Sequence, residues 1–206
     1  KSDFDKSLEH FQEALELYRK IKYKKGESSV LGNVGVIYSN KGELDKALEY
    51  HLKALDIHSK IGDIQGEAYV LSNMGFVYRN KGKQDKALEY YSRALGMFRR
   101  IGDIRGEANS LDSIGALYYI KGELDKALEI LSKALEIYRK IGDIQGEANV
   151  LDNIGGVYWI KGESDKSMEY SLEALKIDRR IGDALGEAKA LINVGMSCLT
   201  KGKLGK

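Results

Sequence analysis

The sequence repeats itself every 40 residues, so that Gly26, Gly66, Gly106, Gly146 and Gly186 fall in one register and Gly35, Gly75, Gly115, Gly155 and Gly195 in another. Lys41-Gly42 and Asp45-Lys46 recur in the same way. A period of about 20–50 residues is the signature of a solenoid, propeller or array, whose units bury their apolar faces only against their neighbours. Such a stack offers an extended surface rather than one deep pocket, which places binding ahead of catalysis as the expected function.

One period, from Ile61 to Arg100, reads as two helices. Gly62-Asp63 is a stop followed by a start, because glycine takes the left-handed conformation cheaply and aspartate can accept the first free amides of the next helix. Ala68, Leu71, Met74, Gly75 and Tyr78 then recur at helical spacing, and Lys81-Gly82 breaks the pattern. A second stripe runs through Ala87, Leu88, Tyr91, Ala94, Leu95 and Phe98 and closes on Arg99-Arg100, where cations suit a helix C-terminus. We call the two helices A and B. Proline is absent, so glycines and caps must set every boundary. The chain therefore reads as an all-α array of about ten helices: a half repeat (helix B) over 1–22, full repeats over 23–62, 63–102, 103–142 and 143–182, and a half repeat (helix A) over 183–206.

Charge narrows the class of partner. The 33 Lys and Arg residues nearly balance the 31 Asp and Glu residues, so no global field draws the chain to nucleic acid or an anionic membrane. No apolar run approaches the roughly 20 residues that cross a bilayer. The one cysteine rules out an internal disulfide framework and is compatible with a reducing, cytoplasmic setting. The chain opens at Lys1, in mid-repeat and without a methionine, which leads to the expectation that it is a piece of a longer protein.

The residue types that usually signal chemistry follow the repeat instead. His10, His51 and His58 stand where other copies have Tyr50, Tyr91 and Phe98, and no second ligand cluster accompanies them, so packing is expected and neither metal nor cofactor. Cys198 stands where Tyr38, Tyr78, Tyr118 and Tyr158 stand and is expected as a core substitute. Asp112 and Asp152, one repeat apart, would sit on successive A helices about 10 Å or more apart, and no apolar enclosure that could split their pKa values is evident in the sequence. No catalytic residue is assigned. The glycines precede no Gly-Lys-Ser/Thr at a strand end, so they are not phosphate loops. The turn Arg19-Lys20-Ile21-Lys22-Tyr23-Lys24-Lys25 departs from its copies; its five cations read as a solvated turn, or else as a grip on an acidic partner.

The order Leu71, Met74-Gly75, Tyr78, Ala87, Tyr91, Ala94, repeated at Leu111, Ile114-Gly115, Tyr118, Ala127, Leu131, Ala134, resembles the tetratricopeptide repeat (TPR) over essentially the whole chain. The unit is longer than the usual repeat of about 34 residues. Its extra Gly62-Asp63-Ile64-Gln65-Gly66-Glu67 is similar to the longer repeats of the Pins/LGN cell-polarity adaptors and of many bacterial and archaeal signalling proteins. The closing proline of the family is missing, with Arg99 in its place.

The resemblance implies a right-handed α-solenoid of antiparallel helix pairs, with A helices lining a concave face that holds a partner peptide. Carried over to this sequence, the implied peptide-binding set is Asn33, Asn73, Phe76, Arg79, Asp112, Tyr119, Asp152, Asn153, Trp159 and Asn193. Asn33, Asn73, Asn153 and Asn193 form a ladder, and two roles are open to it: an amide can hold a ligand's backbone or that of the neighbouring repeat. Tyr119 and Trp159 are either anchors for a ligand or packing between A helices. Together with Asp112 and Asp152 they favour a protein or peptide with apolar anchors and neutral or basic flanks.

Two rival readings remain. The half repeats leave helix B and helix A without partners at the two ends, so that copies could join head to tail as a homo-oligomer. RNA binding is the other, and it ranks last because Asp112 and Asp152 stand against Arg79 and Lys189 where a basic track would be needed.

Overall fold

A computed structural model describes residues 3–204, with side chains over residues 3–199. Among the described residues there are ten α-helices and no strand, in two compact units, Lys1–Asp103 and Ile104–Lys206. The first unit holds α1 (Asp3–Lys20), α2 (Lys24–Asn40), α3 (Leu44–Ile61), α4 (Ile64–Asn80) and α5 (Gln84–Ile101). The second holds α6 (Ile104–Ile120), α7 (Leu124–Ile141), α8 (Ile144–Ile160), α9 (Ser164–Ile181) and α10 (Ala184–Leu204). The even-numbered helices are the A helices of the sequence reading, and the odd-numbered ones are the B helices. Within each unit every helix packs on the next, and successive A helices also touch, α2 on α4 and α8 on both α6 and α10.

The two glycine registers do different work. Within a repeat the A helix meets its B helix at Gly35, Gly75, Gly115 and Gly155, where an added Cβ would lie 2.7 Å from His51, 2.8 Å from Tyr91, 2.6 Å from Leu131 and 2.5 Å from Ser171. Between repeats a side chain of helix B covers the glycine near the start of the next A helix: Tyr18 over Gly26, His58 over Gly66, Tyr138 over Gly146 and Asp178 over Gly186. Such approach, with no Cβ in the way, lets the rings pack against backbone. Tyr138 is accordingly almost fully buried, as are Ala54, Ala134 and Ala174, one turn before the covering residues His58, Tyr138 and Asp178.

The turns from a B helix to the next A helix follow the sequence reading with one exception. Helices α3, α5, α7 and α9 stop at Gly62, Gly102, Gly142 and Gly182 in the left-handed conformation, and the next amide returns to the last turn, as Asp63 N–H does to the His58 carbonyl at 2.9 Å. Asp63, Asp143 and Asp183 then accept the amides of Gly66, Gly146 and Gly186 at 3.2, 3.0 and 3.0 Å. The exception is the first turn, where Lys22 takes the left-handed position with φ 59° and Tyr23 precedes α2 without a side-chain cap.

Several expectations are corrected here. His10 does not pack: its side chain is 81% exposed, with Nδ1 3.8 Å from Glu13. Its counterparts Tyr50, Tyr90 and Tyr170 stack on Tyr38, Tyr78 and Tyr158 of the preceding A helix, and no helix precedes α1 among the described residues. Cys198 is exposed rather than a core substitute for the same reason in reverse, since no described helix follows α10. The first turn is not five free cations: Arg19 and Lys24 hold the buried Glu27 at 3.0 and 2.7 Å, and Lys25 lies 3.3 Å from Asp63. Helix α10 also runs to Leu204 through Lys201 and Gly202, the register at which α2, α4, α6 and α8 stop.

Candidate functional site

Each unit has a cavity where successive A helices meet. In the first unit it measures about 380 Å³ and lies between α2 and α4, floored by Ser28, Asn33, His58, Asp63, Tyr69 and Asn73. Two of the expected residues, Asn33 and Asn73, thus face one space. Phe76 and Arg79, one turn further along α4, form a separate pair with the guanidinium 4.9 Å from the ring centre.

His58 gives that cavity its only resemblance to a catalytic centre. Its Nδ1 is 3.1 Å from Asp63 Oδ2 and 3.5 Å from Ser28 Oγ. A Ser-His-Asp relay requires the hydroxyl and the carboxylate on opposite ring nitrogens. Here both meet the same nitrogen, so the contact fixes the ring over Gly66 and does not activate Ser28.

In the second unit α6, α8 and α10 enclose two adjoining cavities. One of about 240 Å³ is lined by Tyr119, Asp152, Asn153, Gly156, Lys189, Ile192 and Asn193. The other, about 260 Å³, is lined by Asp112, Asn149, Asp152, Asn153 and Lys189. Five of the expected residues, Asp112, Tyr119, Asp152, Asn153 and Asn193, are therefore brought together. Trp159 is half-buried and lines neither cavity. Tyr119 reaches over Gly156, where an added Cβ would lie 3.4 Å from its hydroxyl, so the glycine keeps the cavity open beside the ring.

The asparagines of this unit bind across the A helices. Asn153 Nδ2 donates to Asp112 Oδ1 at 2.9 Å, and Asn193 Nδ2 donates to the Asp152 carbonyl at 3.4 Å. Each links a residue to the helix one repeat earlier, which is the neighbour-binding role of the ladder. In the first unit Asn33 is exposed and Asn73 half-buried.

Asp152 is the residue whose environment the sequence misjudged. The expectation of no enclosure is wrong: it is only 9% exposed, and Oδ1 has no hydrogen-bond partner. Burial first, and then the charge of Asp178, push its pKa up to about 7, against the opposing pull of Asn193 and Lys189. Asp178 is 1% exposed, with neither carboxyl oxygen hydrogen-bonded, and its pKa is also raised, chiefly by burial. The signal for Asp178 was present in the sequence, as an acid in the register of Tyr18, His58, Phe98 and Tyr138. Among the described residues no group of three or more His, Cys, Asp or Glu side chains could hold a metal ion, and no helix is long and apolar enough to cross a membrane.

Comparison with known proteins adds the family. Two family models, each described as tetratricopeptide repeat, match residues 1–61 and 66–140 and residues 148–181. A search of curated proteins returned no match. Among solved structures, BtubC (BKLC) from P. vanneervenii superposes with a TM-score of 0.84 at 18% identity, covering 98% of this chain and 85% of that one. Aspartyl phosphate phosphatase F from Bacillus subtilis gives 0.84 at 13% identity, covering 93% of this chain and 51% of that one. A Rap protein complexed with Competence and Sporulation Factor gives 0.80 at 18% identity, with 88% of this chain and 51% of that one covered. The chain thus spans about half the length of the last two. At these identities the likeness establishes the fold, an all-α helical-repeat solenoid.

Proposed function

The chain belongs to the tetratricopeptide repeat family, and we infer that it is a non-catalytic scaffold that holds a partner peptide against its A helices. The observation that carries this is the pair of adjoining cavities in the second unit, where Tyr119 and Ile192 supply apolar wall and Asp112, Asp152, Asn153 and Asn193 supply polar groups. A few placed polar groups on an otherwise apolar wall are the composition of a recognition site. That a Rap protein of the same fold is complexed with a factor supports the reading by analogy.

The expected ligand is an extended or short helical segment with apolar side chains for Tyr119 and Trp159 and a neutral or basic flank for the aspartates. Phage-displayed peptides selected on the chain test this. Selected peptides should bind at least tenfold more weakly to a Tyr119→Ala/Trp159→Ala variant of unchanged circular dichroism. Equal binding by both proteins would move the binding surface elsewhere.

A second reading, self-association, has its own observation. Leu185, Leu191, Ile192 and Leu199 of α10 are 68, 44, 60 and 68% exposed. Sedimentation across a hundredfold range of concentration distinguishes the two: growth in mass that Leu199→Glu abolishes favours assembly, and a constant monomer removes it.

A further inference from the structure

Asp178 occupies a position that a ring fills elsewhere. In the preceding repeat the Tyr138 ring covers Gly146 and its hydroxyl donates to Asn109 of α6 at 2.6 Å. One period later the glycine is Gly186 and the asparagine is Asn149. The side chain over Gly186 is now a carboxyl, with Oδ1 2.6 Å from where a Cβ would stand. An aspartate is too short to reach as a tyrosine does. Asn149 instead lines the 260 Å³ cavity, with Asp112, Asp152 and Asn153. At about 30 Å³ per water that space takes several waters or one long polar side chain.

Acidic groups outnumber cations around the cavity. Asp152 lines both cavities of the unit, and its Oδ1 is buried without a hydrogen-bond partner. Asp112 joins it from α6, and the charges of Asp178 on α9 and Asp183 before α10 act on it in the same sense. Lys189 of α10 is the cation on the cavity wall, and its pull on Asp152 is weaker than the opposing push of burial and of Asp178. A buried carboxylate without a partner is costly, and a cation carrying N–H donors removes most of that cost. No trio of metal ligands is present among the described residues, so the cation that fits is organic.

We propose that the cavity around Asp152 is a subsite for one basic side chain of the bound peptide, an arginine guanidinium or a lysine ammonium. The inference rests on the peptide-binding reading and specifies its polar half. The Asp152 carboxylate accepts from the entering head group, Asp112 and Asn149 flank it, and Tyr119 and Ile192 line the adjoining space for the next, apolar residue. Binding ionises Asp152 and releases its proton near neutral pH.

The test uses the whole chain and three capped amino-acid amides: N-acetyl-arginine amide, N-acetyl-lysine amide and, as a neutral match in shape, N-acetyl-citrulline amide. Amide signals of residues 149–153 and 189–193 are followed by nuclear magnetic resonance slightly above neutral pH. The two cations should give saturable shifts, and citrulline should bind at least tenfold more weakly. Asp152→Asn should lose the cations by the same factor, whereas Asp125→Asn, on an exposed carboxylate paired with Lys161 outside the cavity, should keep them. Citrulline binding as well as arginine, undiminished binding by Asp152→Asn, or no shift with either cation overturns the subsite. If displayed peptides still depend on Tyr119 in that event, the subsite falls and the scaffold reading stands; loss of that dependence as well would remove both.

Discussion

His51 has both ring nitrogens buried and without a hydrogen-bond partner, and burial alone lowers its pKa to about 4. The unfolded chain binds a proton at His51 near its ordinary value of 6.5, and the folded chain does not until about 4. Stability from this residue is therefore present above the unfolded value and is lost as pH falls through that window. Asp152 works in the opposite sense. Its folded pKa of about 7 lies above its ordinary 3.8, so the folded chain keeps a proton that the unfolded chain releases. Its contribution is complete at acid pH and is lost as pH rises from about 4 to about 7. Two variants separate the effects. His51→Phe, which places a ring over Gly35 as Tyr91 is placed over Gly75, should raise the melting temperature, and more at pH 5 than at pH 8. Removing two unsatisfied nitrogens predicts a gain of about 1–3 kcal/mol. Asp152→Asn should raise it more at pH 8 than at pH 5. Thermal melts at both values check each sign.

At the scale of the element, the first turn shows what the other turns contribute. Gly62, Gly102, Gly142 and Gly182 hold left-handed backbone without strain, whereas Lys22 holds φ 59° with a side chain. Left-handed backbone costs a residue with a Cβ about 1–2 kcal/mol. Lys22→Gly should therefore stabilise the chain by up to about 1 kcal/mol, reduced by the greater freedom of glycine in the unfolded state. The converse substitution, Gly142→Ala, should destabilise it by about 1 kcal/mol. Chemical denaturation of the two variants measures both, and changes of the same sign would remove the explanation. The B-to-A glycines are more demanding. Gly146→Val should cost more than Gly142→Ala, because its side chain would collide with the Tyr138 ring, 2.3 Å from an added Cβ.

Over the whole molecule, contacts join each helix mainly to its neighbours in sequence within each unit, so stability should be graded along the chain rather than uniform. Helix α1 buries only Leu15 fully, among its described residues, while α2 buries ten. Hydrogen exchange should be faster in α1 than in α2, α4 and α8, each of which packs on the helices before and after it. Equal protection of α1 and α4 would contradict a nearest-neighbour description. The surface ion pairs that tie one repeat to the next, Asp5 with Lys41, Asp45 with Lys81 and Asp125 with Lys161, include largely exposed carboxylates and add little to this gradient.

The sequence by itself determined the helices and their order, because both rest on local chemistry. The spacing of Leu71, Met74 and Tyr78 defines a helical face, and Gly62-Asp63 ends one helix and starts the next through hydrogen bonds spanning a few residues. What only the tertiary structure decided was the environment of residues at which the repeat breaks its own rule. His10 and Cys198 match half-buried tyrosines in register, yet lie exposed because the helices that pack on those tyrosines have no described counterpart beside α1 and α10. Asp152 and Asp112 read as two unenclosed acids on successive A helices. Enclosure depends on how α8, α9 and α10 close around Asp152 and on the missing ring at Asp178, which are relations between residues far apart in the chain. A periodic sequence states what each position is on average; burial, and with it charge and pKa, is set by the particular neighbours that the fold supplies.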